Sequence, residues 1–307
     1  MSKNIFTELS NAMADAVEQA GKFTVLVEAR RRFPASGIAF AKDMILTADH
    51  VVERDEDIKV LLGDGTEINA RLIGRDPGTD LAVLKLDPSA LPSAARHSAT
   101  PAEVAKTPAR VGQFVLAIGR PSKNGIESSF GTINAIGGPV RTGRGGMLES
   151  YIKTDVISYP GFSGGPLING EGQVFGINTS GFRSGGAITI PAEVAWIIAE
   201  TLTKYGRIKR GYLGIRSQTV NIPVEGQQQL NRKQETGLLI VGLELDSPAG
   251  KGGLMVGDIL AGVADEAIEH HDELFTRLSG EVVGKFASLD VLRGGKLQVM
   301  DVVVGER

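Results

Sequence analysis

A serine set among glycines, in the run Pro160-Gly161-Phe162-Ser163-Gly164-Gly165-Pro166, raises the prospect of nucleophilic chemistry. Alone it is weak ground, because Gly and Ser populate tight turns by tolerating positive φ and hydrogen-bonding locally. A nucleophilic serine needs a general base within hydrogen-bond reach, and that base needs an orienting acceptor. The chain has four histidines, at positions 50, 97, 270 and 271. His97 lies in the polar, Pro-bounded stretch PSAARHSATPAE, which reads as an exposed loop. His270 and His271 fall in a separate C-terminal region. His50 ends the apolar run MILTADHVV, beside small residues that allow close approach.

Asp80, at the mouth of the run DLAVLKL, supplies the third group, with Asp49 and Asp76 as rival acids. Asp49 would point to the opposite side of its strand from His50. In the order His50, Asp80, Ser163 the set is chemically complete for acyl transfer. The serine attacks a carbonyl, the histidine moves its proton to the leaving amine, and the aspartate holds the imidazole and stabilises its charged form. The backbone N–H groups of Gly161 and Ser163 could then aim at one point as an oxyanion hole, whose single donors are worth about 2.7–4 kcal/mol.

The elements that must position these residues follow from the patterning. Ile5, Leu9, Met13 and Val17 recur every four residues and predict an N-terminal helical segment over 1–22. From Phe23 onward the texture changes to short Val/Ile/Leu-rich runs broken by Gly, Pro, Asp and Asn, among them GIAFA, IKVLL, FVLAIG and QVFGINT. That spacing predicts an all-β barrel or sandwich, not alternating βα units. Pro191 opens a helix, PAEVAWIIAETLTKYG, stopped by Gly206, with Trp196 as a packing residue. The first domain thus runs over 23–205, a polar, basic linker over 206–211, and a second β-rich domain over 212–307 with one helix, HDELFTRLSG.

Composition excludes several classes. The 307 residues, 42% hydrophobic and 22% charged, suit two globular domains. A net charge of −3 argues against a nucleic-acid partner. The absence of cysteine excludes disulfides, thiolate metal sites and a cysteine nucleophile. No metal or organic cofactor is expected, since the glycines form neither a Walker loop nor GxGxxG at a strand-to-helix turn. No run approaches the 18 or more apolar residues of a membrane span. The acids Glu8, Asp15 and Glu18 interrupt any signal-like stretch, so the sequence as it stands reads as cytoplasmic, or as periplasmic or extracytoplasmic if a signal segment was removed.

The motifs TADHVV, DPGTDLAVLK, TD followed by GFSGGPL, and GINT, in that order, together resemble the HtrA/Deg family of trypsin-like serine proteases from about residue 20 to 204. The resemblance implies an all-β, chymotrypsin-like double β-barrel of two six-stranded halves, with His50 and Asp80 on the first and Ser163 on the second. The family's D-L-A-V-L run selects Asp80 as the acid. It implies a serine endopeptidase for unfolded or damaged protein, assembled as a homotrimer to which the helix around Phe6 contributes. Ile157 stands where basic-specific relatives keep an acid, so small or medium apolar side chains are expected. Asn178, Thr179 and Ser180 would supply the strand that pairs with substrate backbone.

The C-terminal region resembles the small α+β PDZ module that family members carry. Leu213, Gly214 and Ile215 would form its carboxylate-binding loop, with Leu274 and Leu278 lining the pocket for a peptide's last side chain. His271, at a helix start, reads as an exposed residue. Where the family has Asn before the nucleophile, this chain has Phe162. An outward Phe162 would leave the turn unaffected. The alternative is a turn lacking a hydrogen bond worth on the order of 1 kcal/mol.

Overall fold

The computed structural model describes residues 4–87, 99–142, 146–181, 188–278 and 282–306. His97 and the centre of the 140–148 loop lie outside them. The chain divides into two compact units, Met1–Ile208 and Lys209–Arg307.

The first unit opens with helix α1 (Ile5–Gly21), whose N-cap Asn4 accepts from the Phe6 N–H. The expected apolar stripe is buried only toward its C-terminal half. Ala16 and Ala20, small enough for close approach, sit in the core, Met13 and Val17 pack at its margin, and Phe6 is 78% exposed.

Six strands follow: β1 (Thr24–Glu28), β2 (Ala35–Ala41), β3 (Met44–Ala48), β4 (Ile58–Leu61), β5 (Glu67–Asp76) and β6 (Leu81–Leu86). They close into a barrel in the order β1-β2-β3-β6-β5-β4. The first half of β5 alternates exposed and buried residues, as a half-buried strand should. The shorter runs are buried almost throughout, because both the barrel interior and the packing outside cover them.

A second closed barrel has the order β11-β14-β13-β12-β7-β8. Its strands are β7 (Phe114–Ser122), β8 (Gly125–Gly137), β11 (Tyr151–Thr154), β12 (Pro166–Ile168), β13 (Val174–Thr179) and β14 (Ile188–Pro191). The short pair β9 (Val140–Arg141) and β10 (Met147–Leu148) stands apart from it. Helix α2 (Ala192–Tyr205) buries Ala195, Ala199 and Leu202, at i, i+4 and i+7. Gly206, at φ 76°, caps it through an N–H donated to the Leu202 carbonyl. Trp196, partly buried, packs edge-on against Phe40 at the margin of the core.

In the second unit β15 (Gly211–Tyr212) pairs with β22 (Gly305–Glu306). A separate sheet runs β16-β17-β18-β20-β21, with β19 paired to β18. Its strands are β16 (Ile215–Asn221), β17 (Thr236–Leu243), β18 (Ile259–Val263), β19 (Glu266–Ala267), β20 (Phe286–Arg293) and β21 (Lys296–Val303). The helices are α3 (Val224–Gln227), α4 (Pro248–Lys251) and α5 (His271–Arg277). Among the described residues no helix is long and apolar enough to cross a membrane.

One ion pair in this unit is buried on its acidic side. Asp258 accepts from Arg293 Nε at 2.8 Å and Nη2 at 2.7 Å, and from the Met255 N–H at 2.8 Å. Burial pushes the Asp258 carboxyl up, but the Arg293 bonds and the Met255 N–H outweigh it, leaving it below the usual carboxylate range. A pKa lowered by folding stabilises above the unfolded value and loses that contribution as pH falls through the folded one. We expect Asp258→Asn to lower stability to urea at pH 7. The gap to the parent should then shrink steadily below about pH 4. An equal gap at pH 7 and pH 3 would contradict this.

Candidate active site

His50 and Asp80 meet because β3 and β6 are neighbours, with Ala48 opposite Leu81. His50 follows β3 in a single 3₁₀ turn, Asp49–Val51. Asp80 precedes β6 at φ 58°, a left-handed conformation that short polar residues tolerate best. Its carbonyl accepts from the Asp49 N–H at 3.0 Å. Its carboxylate is engaged twice by His50: Oδ2 lies 2.7 Å from ring Nδ1, and Oδ1 accepts the backbone N–H at 2.9 Å. The Thr179 hydroxyl also donates to Oδ2. Asp80 is buried and the His50 side chain is 20% exposed, so the pair is held in a poorly solvated place.

The rival acids are otherwise engaged. Asp49 is buried against Arg75, whose Nε donates to it at 2.6 Å. Asp76 accepts from the Thr79 hydroxyl at 2.6 Å and from the Gly78 and Thr79 N–H groups, shaping the turn that delivers Asp80. The 140–148 loop leans on the same turn, since the Thr142 hydroxyl donates to the Gly78 carbonyl.

Ser163 stands three residues before β12, beside the end of β13. Gly161 at φ 92° and Gly164 at φ 86° make its turn. Gly164 also lies so near β2 that a Cβ there would come within 2.1 Å of the Ser36 carbonyl. The N–H groups of Gly161 and Ser163 donate to no acceptor among the described residues. The Ser163 hydroxyl hydrogen-bonds with the Ser180 hydroxyl at 3.1 Å, and not with His50. Such nucleophile–base bonds often tighten only when substrate is bound.

Phe162 points neither outward nor into the site. It is fully buried in the second barrel's core, its ring against Gly119, where a Cβ would approach within 2.5 Å, and edge-on to Tyr159. The ring thus anchors the turn from below. We expect Phe162→Ala to cost about 3–5 kcal/mol of stability, read from urea unfolding. A cost below about 1 kcal/mol would contradict the anchoring role.

The residues read as substrate strand divide by environment. Asn178 is buried, its N–H donating to the Gly165 carbonyl and its carbonyl accepting from the Gly164 N–H, each at 2.8 Å, so its backbone fastens the turn that carries Ser163. Its side chain donates to the Pro166 carbonyl and accepts from Thr189. Thr179 is spent on Asp80, and only Ser180 of the three is exposed. Ile157 is 59% exposed, with its N–H donated to Ser129 Oγ at 2.8 Å.

Reading the sequence missed the bond from the Thr179 hydroxyl to Asp80, for which GINT within an apolar strand carries no signal. It also missed Gly181, where a Cβ would lie 2.3 Å from Asp80 Oδ2 and 3.1 Å from His50 Nδ1. Only a residue without a side chain covers the pair.

In the second unit Leu213, Leu274 and Leu278 are buried in one apolar cluster. Gly214 takes φ 76°, and β16 is an edge strand. His271 reaches β16, with Nε2 3.0 Å from Ser217 Oγ and 3.2 Å from its carbonyl, so it is a partner of that strand and not a bare helix-start residue.

Set beside known proteins, residues 35–177 match the trypsin-like peptidase domain family. A probable periplasmic DegP-like serine endoprotease of Pseudomonas putida is 36% identical over 276 residues, covering 88% of this chain and 55% of the relative. Its counterpart in Halomonas elongata is 38% identical over 283 residues, covering 90% and 57%. The chain therefore spans little more than half the length of these relatives. Among solved structures, the serine endoprotease from Yersinia pestis superposes with a TM-score of 0.76 at 30% identity, covering 96% of this chain and 98% of the other. The HtrA-type protease AlgW with a decapeptide gives 0.78 at 27% identity, with the same coverages. Two closed six-stranded barrels and these likenesses agree: the chain belongs to the HtrA/Deg family of trypsin-like serine proteases.

Proposed function

We propose that the chain is a serine endopeptidase acting on unfolded or damaged protein through an acyl-enzyme. The observation that carries this reading is the double engagement of His50 by Asp80, at ring and backbone, in a barrel adjoining a serine turn with two unspent N–H groups. Asp80 fixes the ring with its proton on Nδ1, leaving Nε2 to take the proton of Ser163 as Oγ attacks the scissile carbonyl. The oxyanion that forms is met by the N–H groups of Gly161 and Ser163. His50 returns the proton to the leaving amine, and water, deprotonated by the same ring, releases the acyl group. The apolar Ile157 offers a cationic side chain no partner, which favours small or medium apolar residues on the acyl side.

The second unit serves in this reading as a PDZ module. A peptide C-terminus adds to the edge of β16, its carboxylate at the backbone of Leu213, Gly214 and Ile215 and its last side chain toward Leu274 and Leu278. The AlgW structures with a decapeptide and with a tripeptide support peptide capture. The names of the relatives support a periplasmic setting over a cytoplasmic one. The exposed apolar residues Ile5, Phe6 and Leu9 give a homotrimer a surface to bury.

A second reading, a catalytically silent peptide-binding protein, has one observation in its favour, the pairing of Ser163 with Ser180 in place of His50. Incubation with casein separates the two. Acid-soluble peptides that accumulate with time support the endopeptidase, and intact casein, with or without a C-terminal peptide added, would overturn it.

A further inference from the structure

The turn that carries Ser163 belongs to the second barrel, yet its carbonyls are held from the first. Ser36, fully buried on β2, donates its N–H to the Ser163 carbonyl at 3.2 Å and its hydroxyl to the Gly161 carbonyl at 2.7 Å. The same hydroxyl accepts the Arg120 N–H of β7 at 2.8 Å, and the Ser36 carbonyl accepts from the Thr47 hydroxyl at 2.7 Å. Every polar atom of Ser36 is therefore committed, and two of them touch the two residues whose own N–H groups are unspent.

The geometry of the peptide planes makes that coincidence mechanical. A peptide plane is rigid, so holding its carbonyl at one edge and its N–H at the other removes its rotation. The Gly161–Phe162 plane is held by Ser36 Oγ at the carbonyl and by the Tyr159 carbonyl, 3.0 Å away, at the Phe162 N–H. The Ser163–Gly164 plane is held by the Ser36 N–H and by the Asn178 carbonyl at 2.8 Å. Between them the Phe162–Ser163 plane, which presents the Ser163 N–H, has its carbonyl taken by the Gly165 N–H at 2.9 Å. The Gly161 N–H itself lies on the preceding Pro160–Gly161 plane, so the bond from Ser36 Oγ bears on its direction through the Gly161 Cα, where a residue without a side chain would otherwise swing freely.

We infer that Ser36 is a positioning residue for the oxyanion hole, locking from the first barrel the backbone that aims the Gly161 and Ser163 N–H groups. It touches neither substrate nor reacting atoms. The inference rests on the endopeptidase reading above, and the test keeps the two apart. Kinetics on a chromogenic peptide and inhibition by a peptide boronate, whose tetrahedral adduct places an oxygen in the hole, are compared for the parent, Ser36→Ala and Ser36→Cys, per folded molecule. Cys keeps nearly the same volume with a weaker donor, which guards against a variant that fails to fold. Leu202→Ala in α2 serves as a control destabilised by core loss alone.

For Ser36→Ala the expected result is a kcat about 10–10³-fold lower with KM within about threefold, since a hole donor acts on the transition state. Boronate affinity should fall by a similar factor. Ser36→Cys should fall between the Ala variant and the parent, and Leu202→Ala should lose stability without losing kcat. Parent-like kcat and boronate affinity in both Ser36 variants, or an equal kcat loss in Leu202→Ala, would overturn the role of Ser36 while leaving the endopeptidase reading intact. A parent chain that cleaves nothing would overturn both.

Discussion

Ser163→Ala is expected to abolish casein cleavage, lowering the rate by about 10⁶ where chemistry limits it, while leaving urea unfolding nearly unchanged. The activity loss follows because the substitution removes the attacking oxygen. Ser180 is the hydroxyl bonded to Ser163, but nothing in the described residues links it to His50. The stability should hold because the lost hydroxyl makes one hydrogen bond, worth about 1 kcal/mol. Alanine also accepts the backbone there, since the positive φ values fall on Gly161 and Gly164 and not on Ser163. Cleavage within tenfold of the parent, measured as acid-soluble peptide, would contradict the assignment.

Asp80→Asn should be the next most damaging change, about 10⁴ in kcat at neutral pH. The carboxylate accepts at both oxygens, from the His50 ring at Oδ2 and the His50 N–H at Oδ1, and Thr179 adds a third donor. An amide offers one acceptor oxygen and, in place of the second, an NH₂ group that only donates. Whichever way it turns, its NH₂ faces an N–H, so either the ring takes the wrong tautomer or the backbone bond is lost. Folding should survive, because Asn tolerates the φ of 58° that Asp80 adopts. A parent-like kcat in a folded Asp80→Asn protein would show that the pair only shapes the turn.

Much of this site could be read before any coordinates. Strand runs and their breaks place His50 just after β3 and Asp80 just before β6, and barrel closure then brings the two strands side by side. What the patterning lacks is direction at single positions. Phe162 follows a glycine in a turn, where no periodicity says whether a ring enters the core, and its burial depends on the gap that Gly119 leaves on β7. Thr179 and Ser36 are small polar residues inside apolar runs, and their roles depend on contacts 99 and 125 residues away in sequence. The four-residue stripe of α1 is incomplete as a guide for a different reason. Hydrophobic spacing states which face is apolar, not how far along the helix a core extends, and the core ends near Met13.

The most direct measurement is labelling by a fluorophosphonate, followed by peptide mapping, in the parent and in His50→Ala. The account predicts a single adduct on Ser163 in the parent and a labelling rate lower by several orders of magnitude without His50. An unlabelled parent, an adduct on another serine, or undiminished labelling of His50→Ala would contradict it.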